Sequence, residues 1–549
     1  MKAIPVLALS LCLLAAAPTL TAADEVRASS ASTADNVIDA QRLAVLDARI
    51  EAVRQRFDVP GIAIAIVRDG EVVIERGYGL REIGKPAAVD AHTLFAIASN
   101  TKAFTATALQ LLAEDGKLDM NDRVIDHLPW FRMGDAYITR ELRIRDLLAH
   151  RSGLSLGAGD LLFWPPTDYS SREVVERLAN VPVTGQFRGQ YAYDNVLYAV
   201  AQLVIEQASG MTFKAFLQTR IFNPLGMDET HHNANDLRPG DNVATGHAKP
   251  DFGNTLVSVG TLSWDNVAGA GGLYSSVHDL SKWMKVQLAG GVISGEGEKA
   301  IRLFPAKRQR QMWTMLTPIP VPTSSVPELA PTMPNFLGYG EGWLLSDYRG
   351  EKLVWHTGGW PGQVSRLTLV PGKKLGIVVL TNQEVGAAFN ALTYEALDIM
   401  LGREHYDWID AYAKAVAKAD AAADDSWAKL LAARDAKSKP SLALARYAGT
   451  WRDPWYGDVR ISHDGKGLAM QFSRTPALNG RLEHWQHDSF IVRWQDRTLN
   501  ADAFVYFALE PDGSIREMRM KPVSPKTDFS FDFQDLRLLR IEPTSPASK

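Results

Sequence analysis

The feature that most constrains the fold of this chain is the way its strand-like segments are divided into two groups by a long stretch of helix and loop. Apolar runs at 62–67 and 72–78 flank Arg68-Asp69-Gly70, and Asp-Gly between two such runs is a hairpin signal. Strand patterning does not return until 341–347, 353–357, 365–370 and 375–381, after which a helix is expected over 386–401. Between the two groups lie helical candidates at 101–114, 143–149, 172–179, 195–208, 212–222 and 277–289. A proline-rich stretch at 317–334 reads as an extended loop. Strands at both ends with helices between them imply a mixed α/β chain of α+β organisation: one antiparallel sheet built from the two chain ends, flanked by helices, with a mainly helical region inserted.

The flanks add further units. A positive start, an apolar run over 6–17 and Thr21-Ala22-Ala23 predict a secretory signal peptide at 1–23, followed by a small polar tail at 24–36. Helical patterning begins at 37 and ends before Pro60, so the main domain is expected over 37–403. An alanine-rich segment of alternating charge at 404–440 reads as a helical linker. Short alternating strands with turns at Asp464-Gly465 and Asp512-Gly513 make 441–549 a small all-β barrel or sandwich. The single cysteine, Cys12, falls inside the signal segment, so the mature chain is expected to have no disulfide, thiolate metal site or cysteine nucleophile. With 46% hydrophobic residues, 22% charged residues and a net charge of -4, the chain has a globular composition that suggests neither nucleic acid nor an anionic membrane as partner. No second apolar stretch is long enough to span a bilayer, so a secreted or periplasmic protein is expected.

Chemistry is concentrated in a few places. Ser99-Asn100-Thr101-Lys102 heads a largely apolar helix, and residues i and i+3 share a face, so the lysine can lie beside the serine hydroxyl and take its proton. Gly153-Leu154-Ser155-Leu156-Gly157 has the letters of a nucleophile elbow, but its flanks are not a strand and a helix, so Ser155 is the weaker rival. His231 and His232 are adjacent and read as polar loop residues; no metal site is expected, and no cofactor. Gly269-Ala270-Gly271-Gly272 lacks dinucleotide-site spacing and reads as a tight turn beneath a close neighbour. Two more groups stand out: Tyr193-Asp194-Asn195 at a helix start, and Trp355-His356-Thr357-Gly358-Gly359 on a strand that ends in glycines.

Together, Ser99-x-x-Lys102, Tyr193-x-Asn195 and His356-Thr357-Gly358 resemble the three motifs of the class C β-lactamase and penicillin-binding-protein-like serine hydrolases. Tyr193 follows Ser99 by 94 positions and His356 follows Tyr193 by 163, in the order and at the scale of that family. The segments 144–154, 224–227 and 339–343 are similar as well, and the C-terminal part from Tyr447 resembles a lipocalin-like β domain appended to some members. The resemblance implies a β-lactamase/transpeptidase-like fold and a covalent acyl-enzyme on Ser99. It implies Lys102 and Tyr193 as proton-transfer groups, Asn195 holding Lys102 and the substrate amide, and an oxyanion hole from the backbone N–H groups of Ser99 and Gly359. His356 departs from the lysine usual in β-lactamases; histidine is mostly neutral at pH 7. The expected activity is cleavage of amide bonds, with peptides containing D-amino acids as the expected substrates, and β-lactam or ester hydrolysis as alternatives. A non-catalytic binder of cell-wall peptides is the alternative from a different class. The expected partner is a small-molecule or peptide substrate, with self-association through the β domain an option.

Overall fold

The computed structural model describes residues 40–541. The expected signal peptide and tail lie outside the described residues. Helix α1 is Ala40–Arg56; the chain divides into two units, of which the second begins at Ala48. The strands of both large sheets belong to the second unit.

Eight strands form one antiparallel sheet: β1 Gly61–Arg68, β2 Glu71–Gly79, β3 Thr317–Pro318, β4 Leu337–Tyr339, β5 Leu344–Tyr348, β6 Glu351–Trp360, β7 Gln363–Val370 and β8 Leu375–Thr381. Their spatial order is β2-β1-β8-β7-β6-β5-β4-β3, so the two chain segments meet where β1 pairs with β8, Ile62 opposite Thr381 through Arg68 opposite Leu375. β1 is buried along nearly all its length and β8 along all of it, as strands covered on both faces must be. Helix α4, Val277–Leu288, packs on β1 and β8, and α5, Gly386–Met400, packs on β7 and β8. The inserted region contains α2, Thr101–Glu114, and α3, Val196–Ser209, packed against one another.

Two expectations shift. The proline-rich stretch is not all loop: Thr317–Pro318 forms the edge strand, where a missing N–H is harmless, and Pro327–Thr332 is a 3₁₀ turn. The strand expected at 341–347 starts at Leu344, because a turn through Gly342 separates it from Leu337–Tyr339. Gly342 has φ +77°, and a Cβ there would lie 2.7 Å from the Lys102 carbonyl oxygen. Only glycine lets this turn pass so close to α2.

The linker is one helix, α6, Trp408–Ala433, anchored at its start by the buried Trp408, whose indole donates to Asp398 (2.8 Å). Near its end Trp427 packs on Trp485, with ring centroids 5.5 Å apart. The C-terminal strands are β9 Gly449–Asp453, β10 Gly457–His463, β11 Leu468–Phe472, β12 Asn479–Gln486, β13 Ser489–Trp494, β14 Ala503–Leu509, β15 Ile515–Pro522 and β16 Leu539–Ile541. They form a second eight-stranded antiparallel sheet, ordered β15-β14-β13-β12-β11-β10-β9-β16. A bridge between Met518 on β15 and Leu538, just before β16, brings its ends together into a nearly closed barrel. The aromatic side chains of Trp451, Phe472 and Trp494 are buried in its interior.

Candidate active site

Ser99 sits on a 3₁₀ turn, Ala98–Asn100, that leads directly into α2. Ala98 has φ +47°, a conformation a non-glycine residue rarely holds unless its surroundings impose it. Here the neighbours do so. The Asn100 side-chain amide donates to Ser365 Oγ (2.8 Å), Ser365 Oγ donates to the Ile97 carbonyl (2.8 Å), and the Ala96 N–H donates to Gln363 Oε1 (2.9 Å). These bonds pin the turn to β7. Gly358 on β6 lets the strand come equally near, since a Cβ there would meet the Ile97 oxygen at 2.2 Å and Ser365 Oγ at 2.4 Å. Gly359, one position on, has open space before it. Gly358→Ala is therefore expected to push β6 off the turn that carries Ser99. It should cost about 1–3 kcal/mol in chemical denaturation and about 10²-fold in turnover.

Lys102 is fully buried on the first turn of α2. Its Nζ contacts Asn195 Oδ1 at 2.7 Å, the Ala270 carbonyl at 2.9 Å and Ser99 Oγ at 3.1 Å. The first two are acceptors only, because the other side of the Asn195 amide, Nδ2, donates to Asp160 Oδ2 at 2.8 Å. A neutral amine has two N–H groups and one lone pair. Asn195 and Ala270 take both hydrogens, which leaves the lone pair for the Ser99 hydroxyl proton. Burial lowers the Lys102 pKa from 10.5 to about 7, with Asp160 opposing the shift, so this neutral form is accessible near neutrality.

The Tyr193 hydroxyl faces Ser99, and Lys102 Nζ lies 4.8 Å from the Tyr193 ring centroid. Burial raises Tyr193 well above the ordinary tyrosine value, so it stays a neutral phenol that can donate a proton. His356 is also buried. Its Nδ1 lies 2.6 Å from the Thr357 carbonyl, which can only accept, so Nδ1 carries the hydrogen and Nε2 accepts from the Tyr339 hydroxyl at 2.7 Å. Burial, then the nearby Lys102, depresses its pKa to about 3, so it is uncharged at pH 7. His150, its ring tilted against that of Tyr193 with centroids 4.2 Å apart, is pushed well below the ordinary histidine value by burial, then by Lys102 and His356.

The structure thus brings Ser99, Lys102, Tyr193, Asn195 and His356 together, with Thr357, Gly358 and Gly359 on the strand beside them. Asn195 occupies the N-cap position of α3 without capping it; its side chain is committed to Lys102 and Asp160. Sequence reasoning missed Ala270, whose contribution is a backbone oxygen. The helical turn Ala268–Gly271 delivers it, fixed by Thr105 Oγ1 donating to the Gly269 carbonyl (2.7 Å) and by the Gly269 N–H donating to Gln202 (3.0 Å). It also missed the parts played by Asp160, which lies in none of the similar segments, and by His150 and Tyr339, which lie in the segments 144–154 and 339–343 but meet the site only through the fold. Ser155 Oγ instead contacts Asp535 Oδ2 of the barrel domain at 3.3 Å. His231 forms a backbone bridge with Tyr274, whereas His232 is buried, edge-on to Phe213 (5.6 Å), rather than a polar loop residue. Among the described residues, His92, Glu229 and His278 bring three ligand-capable atoms within 4.8 Å of one another. These side chains already have hydrogen-bond partners, His92 Nδ1 with Glu229 (2.7 Å) and His278 Nδ1 with Glu75 (2.6 Å).

A large antiparallel sheet with flanking helices and a Ser-x-x-Lys pair at a buried helix start define a serine hydrolase of the transpeptidase-like class. The chain belongs to the Beta-lactamase family, whose model matches residues 46–400. Residues 433–540 match a domain of unknown function, DUF3471. The unguisins hydrolase ungD of Aspergillus violaceofuscus (strain CBS 115571) is 30% identical over 84% of this chain and 84% of its own. Protein flp of Staphylococcus aureus (strain MRSA252) is 28% identical over 61% of this chain and 62% of its own. Among solved structures, the octameric penicillin-binding protein homologue from Pyrococcus abyssi superposes with a TM-score of 0.57 at 20% identity, over 91% of this chain and all of that one. SurE superposes with a TM-score of 0.53 at 21% identity, over 91% of this chain and 99% of that one. Among the described residues no helix is long and apolar enough to cross a membrane.

Proposed function

We propose that this serine hydrolase cleaves amide bonds, with peptides containing D-amino acids as its substrate class, through an acyl-enzyme on Ser99. The observation that carries the catalytic part is the saturation of Lys102: two fixed acceptors leave its lone pair for the Ser99 proton. Ser99 Oγ attacks the substrate carbonyl as its proton passes to Lys102, and the Ser99 and Gly359 N–H groups receive the oxyanion. As the C–N bond breaks, the proton returns through the Tyr193 hydroxyl to the leaving nitrogen. Water then attacks the acyl carbonyl, giving its proton to Lys102, which passes it to Ser99 Oγ as the acyl C–O bond breaks, so the acid is released and both groups are restored.

The preference for amides over β-lactams rests on His356. Its neutral, doubly hydrogen-bonded ring supplies no fixed cation for the carboxylate of a β-lactam. A relative named as a hydrolase supports the hydrolytic part of this reading, and a structural neighbour solved with D-Leu supports the D-residue part. The test is a panel of a D-amino acid amide, a D-Ala-D-Ala peptide, a chromogenic cephalosporin and a short-chain nitrophenyl ester. The D-residue substrates are expected to exceed the cephalosporin in kcat/KM by about tenfold or more. A cephalosporin preference would make this a β-lactamase, turnover of the ester alone an esterase, and no turnover a binding protein.

A further inference from the structure

Acyl transfer by Ser99 and Lys102 does not use the buried carboxylate behind them. Resting on that reading, we propose that Asp160, held by Ser530 of the barrel domain, is a positioning residue that fixes the Asn195 amide and charges the surroundings of Lys102, so that the barrel domain is a working part of the active site.

The contacts run in one line. Ser530 Oγ donates to Asp160 Oδ2 at 2.8 Å, the same oxygen accepts from Asn195 Nδ2 at 2.8 Å, and Asn195 Oδ1 accepts from Lys102 at 2.7 Å. Asp160 is fully buried, and its Oδ1 has no partner among the described residues. Ser530 belongs to the segment between β15 and β16, which is clamped onto the loop that carries Asp160. Asp532 accepts from the Gly159 N–H at 2.6 Å and the Leu161 N–H at 3.1 Å. The adjacent Phe529 ring stands edge-on to Tyr193 at 6.0 Å, so this segment reaches the catalytic cleft itself.

The chemistry follows from which atoms can donate. An asparagine amide presents either an oxygen or an NH₂ to its neighbour, and an NH₂ facing Lys102 would occupy the lone pair that Ser99 needs. A carboxylate on the far side accepts only, which forces Nδ2 toward Asp160 and Oδ1 toward Lys102. The Ser530 hydroxyl, donating to that carboxylate, keeps it an acceptor.

Charge is the second lever. Lys102 faces Asp160, Tyr193, Tyr198, His150 and His356, and Asp160 faces Lys102, Asp194, Asp528 and Asp532. Burial pushes Asp160 up to about 7, against the pull of its Asn195 and Ser530 hydrogen bonds. An ionised Asp160 favours protonated Lys102. Removing that charge therefore lets Lys102 deprotonate at lower pH, and weakening it through Ser530 acts in the same direction.

The experiment follows single-turnover acylation of Ser99 by a nitrophenyl ester from about pH 5 to 9, in the full chain and in Asp160→Asn, Ser530→Ala and Ser155→Ala. In Asp160→Asn the acid limb is expected to move down by about one unit while the limiting rate falls about tenfold or more. Ser530→Ala should show a smaller shift in the same direction. Ser155→Ala, which removes a barrel contact outside the line, should leave the limb in place. A role in folding alone would lower the rate without moving the limb. A fixed limb in both variants, with Ser99 acylated in the wild type, overturns this inference and leaves the acyl-transfer reading standing; absence of Ser99 acylation in the wild type overturns both. If Asp160→Asn does not fold, the Ser530→Ala limb decides.

Discussion

Replacing Ser99 by alanine is expected to lower turnover of every amide, β-lactam and ester substrate by about 10³-fold or more, with chemical stability within about 1 kcal/mol of the wild type. The separation of the two effects follows from how the site is built. The strained turn at Ala98 is held by Asn100, Ser365 and Gln363, none of which bonds the Ser99 hydroxyl, so the scaffold survives its loss. What disappears is the partner to which Lys102 directs its lone pair, since Asn195 and Ala270 consume its hydrogens. Intact-protein mass spectrometry gives the second readout. A slowly deacylating substrate should leave an acyl adduct on the wild type and none on Ser99→Ala. Undiminished turnover would move the nucleophile elsewhere, with Ser155 the first place to look.

The parts of this site that were legible in the sequence are those where chemistry is carried by neighbours along the chain. Ser99 and Lys102 are one helical turn apart, Tyr193 and Asn195 straddle a helix start, and His356 to Gly359 share one strand, so local spacing alone sets them near each other. The central strands were legible for a related reason: β1 and β8 are nearly continuous apolar runs, as strands buried on both faces must be. Contributions through the backbone or through long loops were not. Ala270 acts through its carbonyl, which every residue possesses, and nothing in its side chain marks it. Asp160 and Ser530 are 370 positions apart and carry no periodic signal; only the docking of the barrel brings them together. Short edge strands such as Thr317–Pro318 fail for a third reason, because two residues give no alternation to read.

Lys102→Met is expected to reduce turnover by about 10²-fold or more and also to change how stability depends on pH, and the second effect tests the buried amine directly. Burial brings the folded-state pKa of Lys102 from 10.5 to about 7. Between those values the unfolded chain binds a proton that the folded chain does not, so raising the pH through this window stabilises the wild type. The slope attributable to this one group is about 1.4 kcal/mol per pH unit. Methionine keeps the length and apolar stem of lysine but has no proton to lose, so that gain is absent from the variant. Denaturant titrations at several pH values between 7 and 10 should therefore show the wild type gaining stability relative to Lys102→Met as pH rises. Parallel curves would mean that Lys102 keeps an ordinary pKa in the folded protein. In that case the amine would be protonated at neutral pH, its lone pair would not face Ser99, and the base in the reaction would have to be another group.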